Sequence, residues 1–133
     1  MARDDGNQPV RVLIVEDDPR VRTALRRFLS ASDDIEVVGD ADDRESALCL
    51  AQDVAPAVAL VDVHLPHAAD GLELLHALAD LQVPVVAISI HGSVRGSALA
   101  AGADQFLDKD SAPDLMVAAL RHAAARRIQP DRP

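Results

Sequence analysis

Four kinds of side chain in this sequence stand where chemistry is expected. Glu16 and Asp17 directly follow the apolar run Val10–Val15, and Asp62 ends the run that begins at Ala57. Ser89 closes Val85–Ile88, and Lys109 stands two residues beyond Gln105–Leu107. If each run is a strand of one parallel sheet, all of these groups lie at the carboxyl ends, where open α/β sheets form their ligand crevice. Like charges about 5 Å apart repel by ~3 kcal/mol per pair at an effective dielectric near 20, so three carboxylates in one crevice favour a bound cation. Mg²⁺ suits such a set, because it takes a few carboxylates, keeps waters and accepts phosphate oxygens in its remaining positions. Carboxylates, a hydroxyl and an ammonium at successive strand ends describe a site for a phosphoryl group.

The elements that must position these groups are legible as alternating patterns. Val10–Val15 is a β-branched strand, and Asp18 with Pro19 opens a first helix whose apolar positions are Val21, Ala24, Leu25, Phe28 and Leu29. Its arginines, Arg20, Arg22, Arg26 and Arg27, read as a solvated face. Ile35–Val38 is a second strand and Asp42–Gln52 a second helix. The third strand ends at Asp62, and a loop His67–Gly71 precedes a third helix marked by Leu72, Leu74, Leu75 and Leu78. Pro84 opens the fourth strand, where a missing N–H is tolerated. A short helix Ser97–Ala101 ends at Gly102 in a left-handed cap, Gln105–Leu107 is the fifth strand, and Ser111 to Asp114 resembles a capping box for the last helix. Five strand–helix units predict an α/β fold, a flavodoxin-like (βα)5 doubly wound parallel sheet of order 2-1-3-4-5. That order sets strands 1 and 3 side by side, and with them Glu16, Asp17 and Asp62.

Composition limits the function classes. A chain of 133 residues is one domain with a real core, here residues 10–128 between a tail at 1–9 and a short one at 129–133. A formal charge of −9 argues against a nucleic-acid backbone as partner, and the few residues after the last helix cannot form a DNA-binding domain, so no direct nucleic-acid binding is expected. The absence of a signal segment or long apolar run, with Cys49 as the single cysteine, predicts a cytoplasmic protein that does not engage a membrane.

Glu16–Asp17, Asp62 with Leu65–Pro66 and Gly71, Ser89, Gly102–Ala103–Asp104 and Phe106–Leu107–Asp108–Lys109, in this order and spacing, resemble the receiver domain of two-component response regulators. The Lys109–Asp110 step and Ser89–Ile90–His91 look closest to its NarL-type branch. The resemblance implies that Asp62 accepts a phosphoryl group from a sensor histidine kinase, a phosphotransfer protein or a small acyl phosphate, and that dephosphorylation is self-catalysed. It implies that Mg²⁺ is held by Asp17, Asp62 and the backbone carbonyl of His64, with Glu16 acting through water. Ser89 and Lys109 would hold phosphoryl oxygens, and Phe106 would be an aromatic switch. The switch would alter the surface of helix 4, strand 5 and helix 5, where Ala98, Leu99 and Phe106 are expected to form an apolar patch for a partner or, in a phosphorylation-dependent homodimer, a second copy.

Departures from the family pattern also carry expectations. The loop from Asp62 to Gly71 is one residue longer than usual and the stretch from Ser89 to Gly102 about two shorter, which predicts a truncated helix 4. Ile90 and His91 should flank the path to Asp62, with Ile90 narrowing access and His91 orienting water. Two other readings compete: a receiver-shaped interaction module that does not use phosphorylation, and a Mg-dependent phosphohydrolase. The latter type places a second acid two residues after its nucleophile, where this chain has His64. The His64-x-x-His67 spacing lies in an irregular loop with no further ligand set and does not define a metal site.

Overall fold

The computed structural model describes residues 8–64 and 68–128. Its elements, in chain order, are β1 (Val10–Val15), α1 (Pro19–Ser30), β2 (Ile35–Ala41), α2 (Arg44–Val54), β3 (Val58–Asp62), α3 (Ala68–Asp80), β4 (Val85–Ser89), a 3-10 turn (Gly92–Val94), α4 (Arg95–Ala100), β5 (Gln105–Asp108) and α5 (Pro113–Ile128). All strand pairs are parallel and the order is β2-β1-β3-β4-β5, the expected doubly wound sheet.

Strand alternation divides the core into two layers. Val12, Ile14, Val58, Leu60, Val86 and Ile88 face Leu25 and Leu29 of α1 and Met116, Leu120 and Ala123 of α5. Leu13, Val15, Ala59, Val61, Val85 and Ala87 face the other way, onto α2, α3 and α4. Small residues on the second face, Ala59 and Ala87, admit Leu74, Leu75 and Leu78 of α3. Fully burying a leucine contributes roughly 1.5–3 kcal/mol, so these α3 leucines clamp that helix and the loop before it onto the sheet.

Several boundaries differ from the sequence pattern, each for a local reason. β2 runs to Ala41 because Val38 is bulged: Val12 pairs with Val37 and Leu13 with Gly39, so the strand continues past the glycine. α2 starts at Arg44, not Asp42, because Asp43 is the N-cap and accepts the Ser46 N–H at 2.8 Å. α3 begins at Ala68, so Gly71 is a helical residue and not the end of a loop. Leu65–Pro66 and His67 lie outside the described residues. Ser111 does not cap α5: Pro113 is its first residue, and the carbonyl of Ala112 receives the N–H groups of Leu115 and Met116. The arginines of α1 are not simply solvated, since Arg22 and Arg26 pair with Asp40 on β2. α4 has only six residues, the truncation expected from the short Ser89–Gly102 spacing. It ends in a Schellman motif, with Gly102 at φ 118° and the N–H of Ala103 bonded to the carbonyl of Ala98.

Gly71 is where α3 touches the end of β3. A Cβ there would fall 1.6 Å from the Val63 carbonyl oxygen, an overlap only backbone movement relieves. Gly71→Ala should therefore lower the unfolding free energy by about 3 kcal/mol or more, measured by urea denaturation. A loss under about 0.5 kcal/mol, the size of an ordinary surface change, would contradict this packing.

Candidate phosphoryl and metal site

Glu16, Asp17 and Asp62 converge because β1 and β3 are neighbours and both stop at the same edge. Glu16 prolongs the sheet pairing, donating its N–H to the Ala41 carbonyl at 3.0 Å, while Arg22 donates to the Glu16 carbonyl at 2.9 Å. Asp18 then breaks the strand direction as the N-cap of α1, accepting the Arg20 N–H at 2.9 Å. That bond holds its carboxyl below the usual range. Glu16 and Asp62 are buried and Asp17 is exposed, and one oxygen from each lies within 4.8 Å of the others. The donors are all carboxylates, the hard-oxygen set that suits Mg²⁺ and not a soft metal.

Lys109 reaches the same point from beyond β5. Its backbone N–H is held by the Ser89 carbonyl at 3.0 Å, and its ammonium lies 2.9 Å from Oδ2 of Asp62 and 2.9 Å from Oε1 of Glu16. The other oxygen of Asp62, Oδ1, accepts the N–H of His64 at 3.0 Å. Burial, reinforced by the Asp62 charge, pushes Glu16 up to about 7 even though Lys109 opposes the shift. Burial also works against the Lys109 charge, but its hydrogen bonds to Glu16 and Asp62 prevail and hold the ammonium above its usual range.

Ser89 is fully buried at the end of β4, and its hydroxyl accepts the N–H of His91 at 2.9 Å. Phe106 is buried among α4 and the α2–α4 face of the sheet. Arg95, which the sequence reading passed over, lies above it: its guanidinium carbon is 5.9 Å from the ring centre, and one nitrogen donates to the Phe106 carbonyl at 3.4 Å. No local pattern announces that contact, because the two residues are eleven positions apart. Ile90 is 71% exposed and borders a surface cleft with Val21, Lys109 and Asp110. The imidazoles of His64 and His91 meet edge to face with ring centres 4.9 Å apart, a pairing not foreseen from sequence.

Comparison with known proteins agrees with this geometry. Residues 12–121 match the family described as response regulator receiver domain. The nitrate/nitrite response regulator NarL of Escherichia coli K12 is 34% identical over 124 residues, covering 90% of this chain and 57% of that protein. The response regulator GacA of Pseudomonas protegens is 36% identical over 127 residues, covering 91% of this chain and 59% of that protein. The chain thus spans less than three-fifths of these curated relatives. Among solved structures, the signal receiver domain of NarL from Mycobacterium tuberculosis superposes with a TM-score of 0.81 at 36% identity, covering 89% of this chain and 98% of that one. No helix among the described residues is long and apolar enough to cross a membrane.

The raised pKa of Glu16 has a consequence of definite sign. A carboxyl whose folded value, about 7, exceeds its ordinary 4.5 stabilises the fold fully below 4.5 and loses that contribution as pH climbs through 7. In chelator, wild type should lose on the order of 3 kcal/mol relative to Glu16→Gln between pH 4.5 and 7.5. Lys109 does not offset this, since its raised value keeps it charged throughout the window. Parallel denaturation curves for the two proteins across this range would contradict the assignment.

Proposed function

Because the chain belongs to the response regulator receiver domain family of two-component signalling, we propose that Asp62 is its phosphoacceptor and that Glu16, Asp17, Ser89 and Lys109 serve the transfer. The observation that carries this reading is the convergence on Asp62 of a partly buried ammonium and two further carboxylates at the ends of adjacent strands. In the proposed step an oxygen of Asp62 attacks phosphorus, a new P–O bond forms, and the bond from phosphorus to the donor breaks. The donor is a phosphohistidine of a sensor kinase or phosphotransfer protein, or a small acyl phosphate. The partner leaves with the electron pair of the broken bond.

Mg²⁺ would be held by Asp17, Asp62 and the His64 carbonyl, with Glu16 acting through water, and when bound it supplies positive charge to the phosphoryl oxygens. Lys109 has two roles in sequence. In the resting site it neutralises Glu16 and Asp62, and once the phosphoryl group arrives it turns one hydrogen bond toward it. The Ser89 hydroxyl accepts from His91 and keeps its own proton free to donate to another phosphoryl oxygen. Ile90, in the cleft wall, and His91, which follows it, would set access for donor and water.

A charge-assisted hydrogen bond contributes about 1.5–3 kcal/mol, enough to shift a two-state equilibrium roughly 10- to 150-fold. Movement of Ser89 toward the phosphoryl group would be transmitted to Phe106, which is already packed inward, and through it to Arg95 and the α4–β5–α5 surface. That surface is proposed to join a second copy when Asp62 is phosphorylated.

Asp62→Asn should abolish acyl-phosphate labelling, read as the mass of one added phosphoryl group, while the unfolding transition stays cooperative. Labelling that survives moves the acceptor elsewhere, Asp17 first. Millimolar Mg²⁺ should raise the melting midpoint of wild type, and Asp17→Ala should remove most of that rise. An equal rise in both proteins would count against the carboxylate site. Beryllofluoride, as a phosphoryl mimic, should raise the sedimenting mass toward a dimer, and Ser89→Ala should weaken that effect; an unchanged mass in wild type would sink the dimer.

A further inference from the structure

His64 and His91 are the residues two beyond Asp62 and Ser89, and the two positions are built alike. Oδ1 of Asp62 accepts the N–H of His64 at 3.0 Å, and the Ser89 hydroxyl accepts the N–H of His91 at 2.9 Å. Each bond turns the chain just past a strand end, and the two turns, on neighbouring strands, aim their imidazoles at one another. The ring centres are 4.9 Å apart with planes at 74°. Among the described residues, His64 Nε2 is buried with no hydrogen-bond partner, whereas His91 is exposed. An imidazole nitrogen hidden from water without a partner is unfavourable, a cost that a ligand bond would remove.

We propose that His64 and His91 form a second metal site, for a borderline divalent cation of the Zn²⁺ class, at the rim of the phosphoryl cleft. Imidazole nitrogens select such ions over Mg²⁺, so the pair is chemically separate from the all-carboxylate cluster beside it. Two nitrogens bound at 2.0–2.1 Å to one tetrahedral ion are about 3.3 Å apart, and rings whose centres are 4.9 Å apart reach that separation by turning the exposed His91 ring. The two nitrogens leave the remaining positions to water. An ion there stands between the residues that follow Asp62 and Ser89, so it would hinder a donor approaching Asp62. This last consequence, unlike the binding site, rests on Asp62 being the phosphoacceptor.

Zinc alone is the probe, titrated by calorimetry into wild type, His91→Ala, His64→Ala and Asp17→Ala. His91→Ala retains the backbone N–H that Ser89 accepts and removes an exposed ring, so its fold should be intact. Each histidine variant should lose about ten- to a hundred-fold in affinity for one zinc, the scale seen when even a ligand's outer support is removed, while Asp17→Ala, which alters only the carboxylate cluster, keeps that zinc. Equal affinity in wild type and His91→Ala would overturn the site, as would loss in Asp17→Ala alone. Acyl-phosphate labelling with saturating Mg²⁺ is the second arm: one equivalent of zinc should slow it in wild type and not in His91→Ala. Labelling absent without zinc would refute the phosphoacceptor reading and leave the binding result standing, whereas labelling indifferent to zinc would refute the hindrance.

Discussion

Burying Glu16 and Asp62 side by side is unfavourable for both, and the Lys109 ammonium 2.9 Å from an oxygen of each is what the fold sets against it. The three groups come from three separate parts of the chain, beyond β1, at the end of β3 and beyond β5. Each must be delivered within about an ångström for the arrangement to hold, because a charge buried without its partner costs several kcal/mol. This explains why the surrounding backbone is so tightly tied. Lys109 is fixed through Ser89, Glu16 through Ala41 and Arg22, and Asp62 through His64. The same residues that balance charge at rest stand ready for a ligand carrying charge of either sign. On the proposed function, a cation would take over the ammonium's role toward the carboxylates, and an added phosphoryl group would give the ammonium a new partner.

The two faces of the sheet contribute differently to that end. On the α1–α5 side, Ile14, Leu60, Ile88 and Leu120 form a conventional large-residue core. On the other side alanines at Ala59, Ala87, Ala98 and Ala101 bring α3 and α4 close to the strands, and Phe106 is the one large aromatic among them. The ends of β3 and β4 are therefore supported from one side by bulk and from the other by close approach. Gly71 extends the second device to the loop after Asp62, where backbone meets backbone without a side chain between.

The sheet order and the carboxylate cluster were legible because they follow from features local in sequence: β-branched runs, acids placed directly after them, and the alternation that fixes a parallel topology. What escaped depends on contacts between distant segments. Gly71 looked like a loop residue because glycine commonly marks turns, and only the proximity of Val63 explains it inside a helix. Gly39 looked like a strand end, yet the bulge at Val38 lets β2 pass through it. Arg22 and Arg26 looked solvated until β2 placed Asp40 beside them. The Ser111 cap failed because Pro113 enters the helix directly after Ala112. Among the site residues, the meeting of His64 with His91 and of Arg95 with Phe106 could not be read from either partner alone.

α4, with six residues, is the shortest α-helix among the described residues. Helices shorter than about 12–15 residues are marginal in water, so this one persists through Ala98 and Val94 packed on the sheet, the Schellman hydrogen bonds at Gly102, and Arg95 resting on Phe106. Helix formation is cooperative, and so few hydrogen bonds give way nearly together once an anchor loosens. α4 is therefore a small unit of local order whose melting is cheap compared with unfolding the domain. A signal passing through Phe106, as proposed, would not need to push a rigid helix sideways; it would alter how much of the time that helix exists. Amide exchange across Arg95–Ala100 would then carry the message as a change in order, even where average positions barely differ.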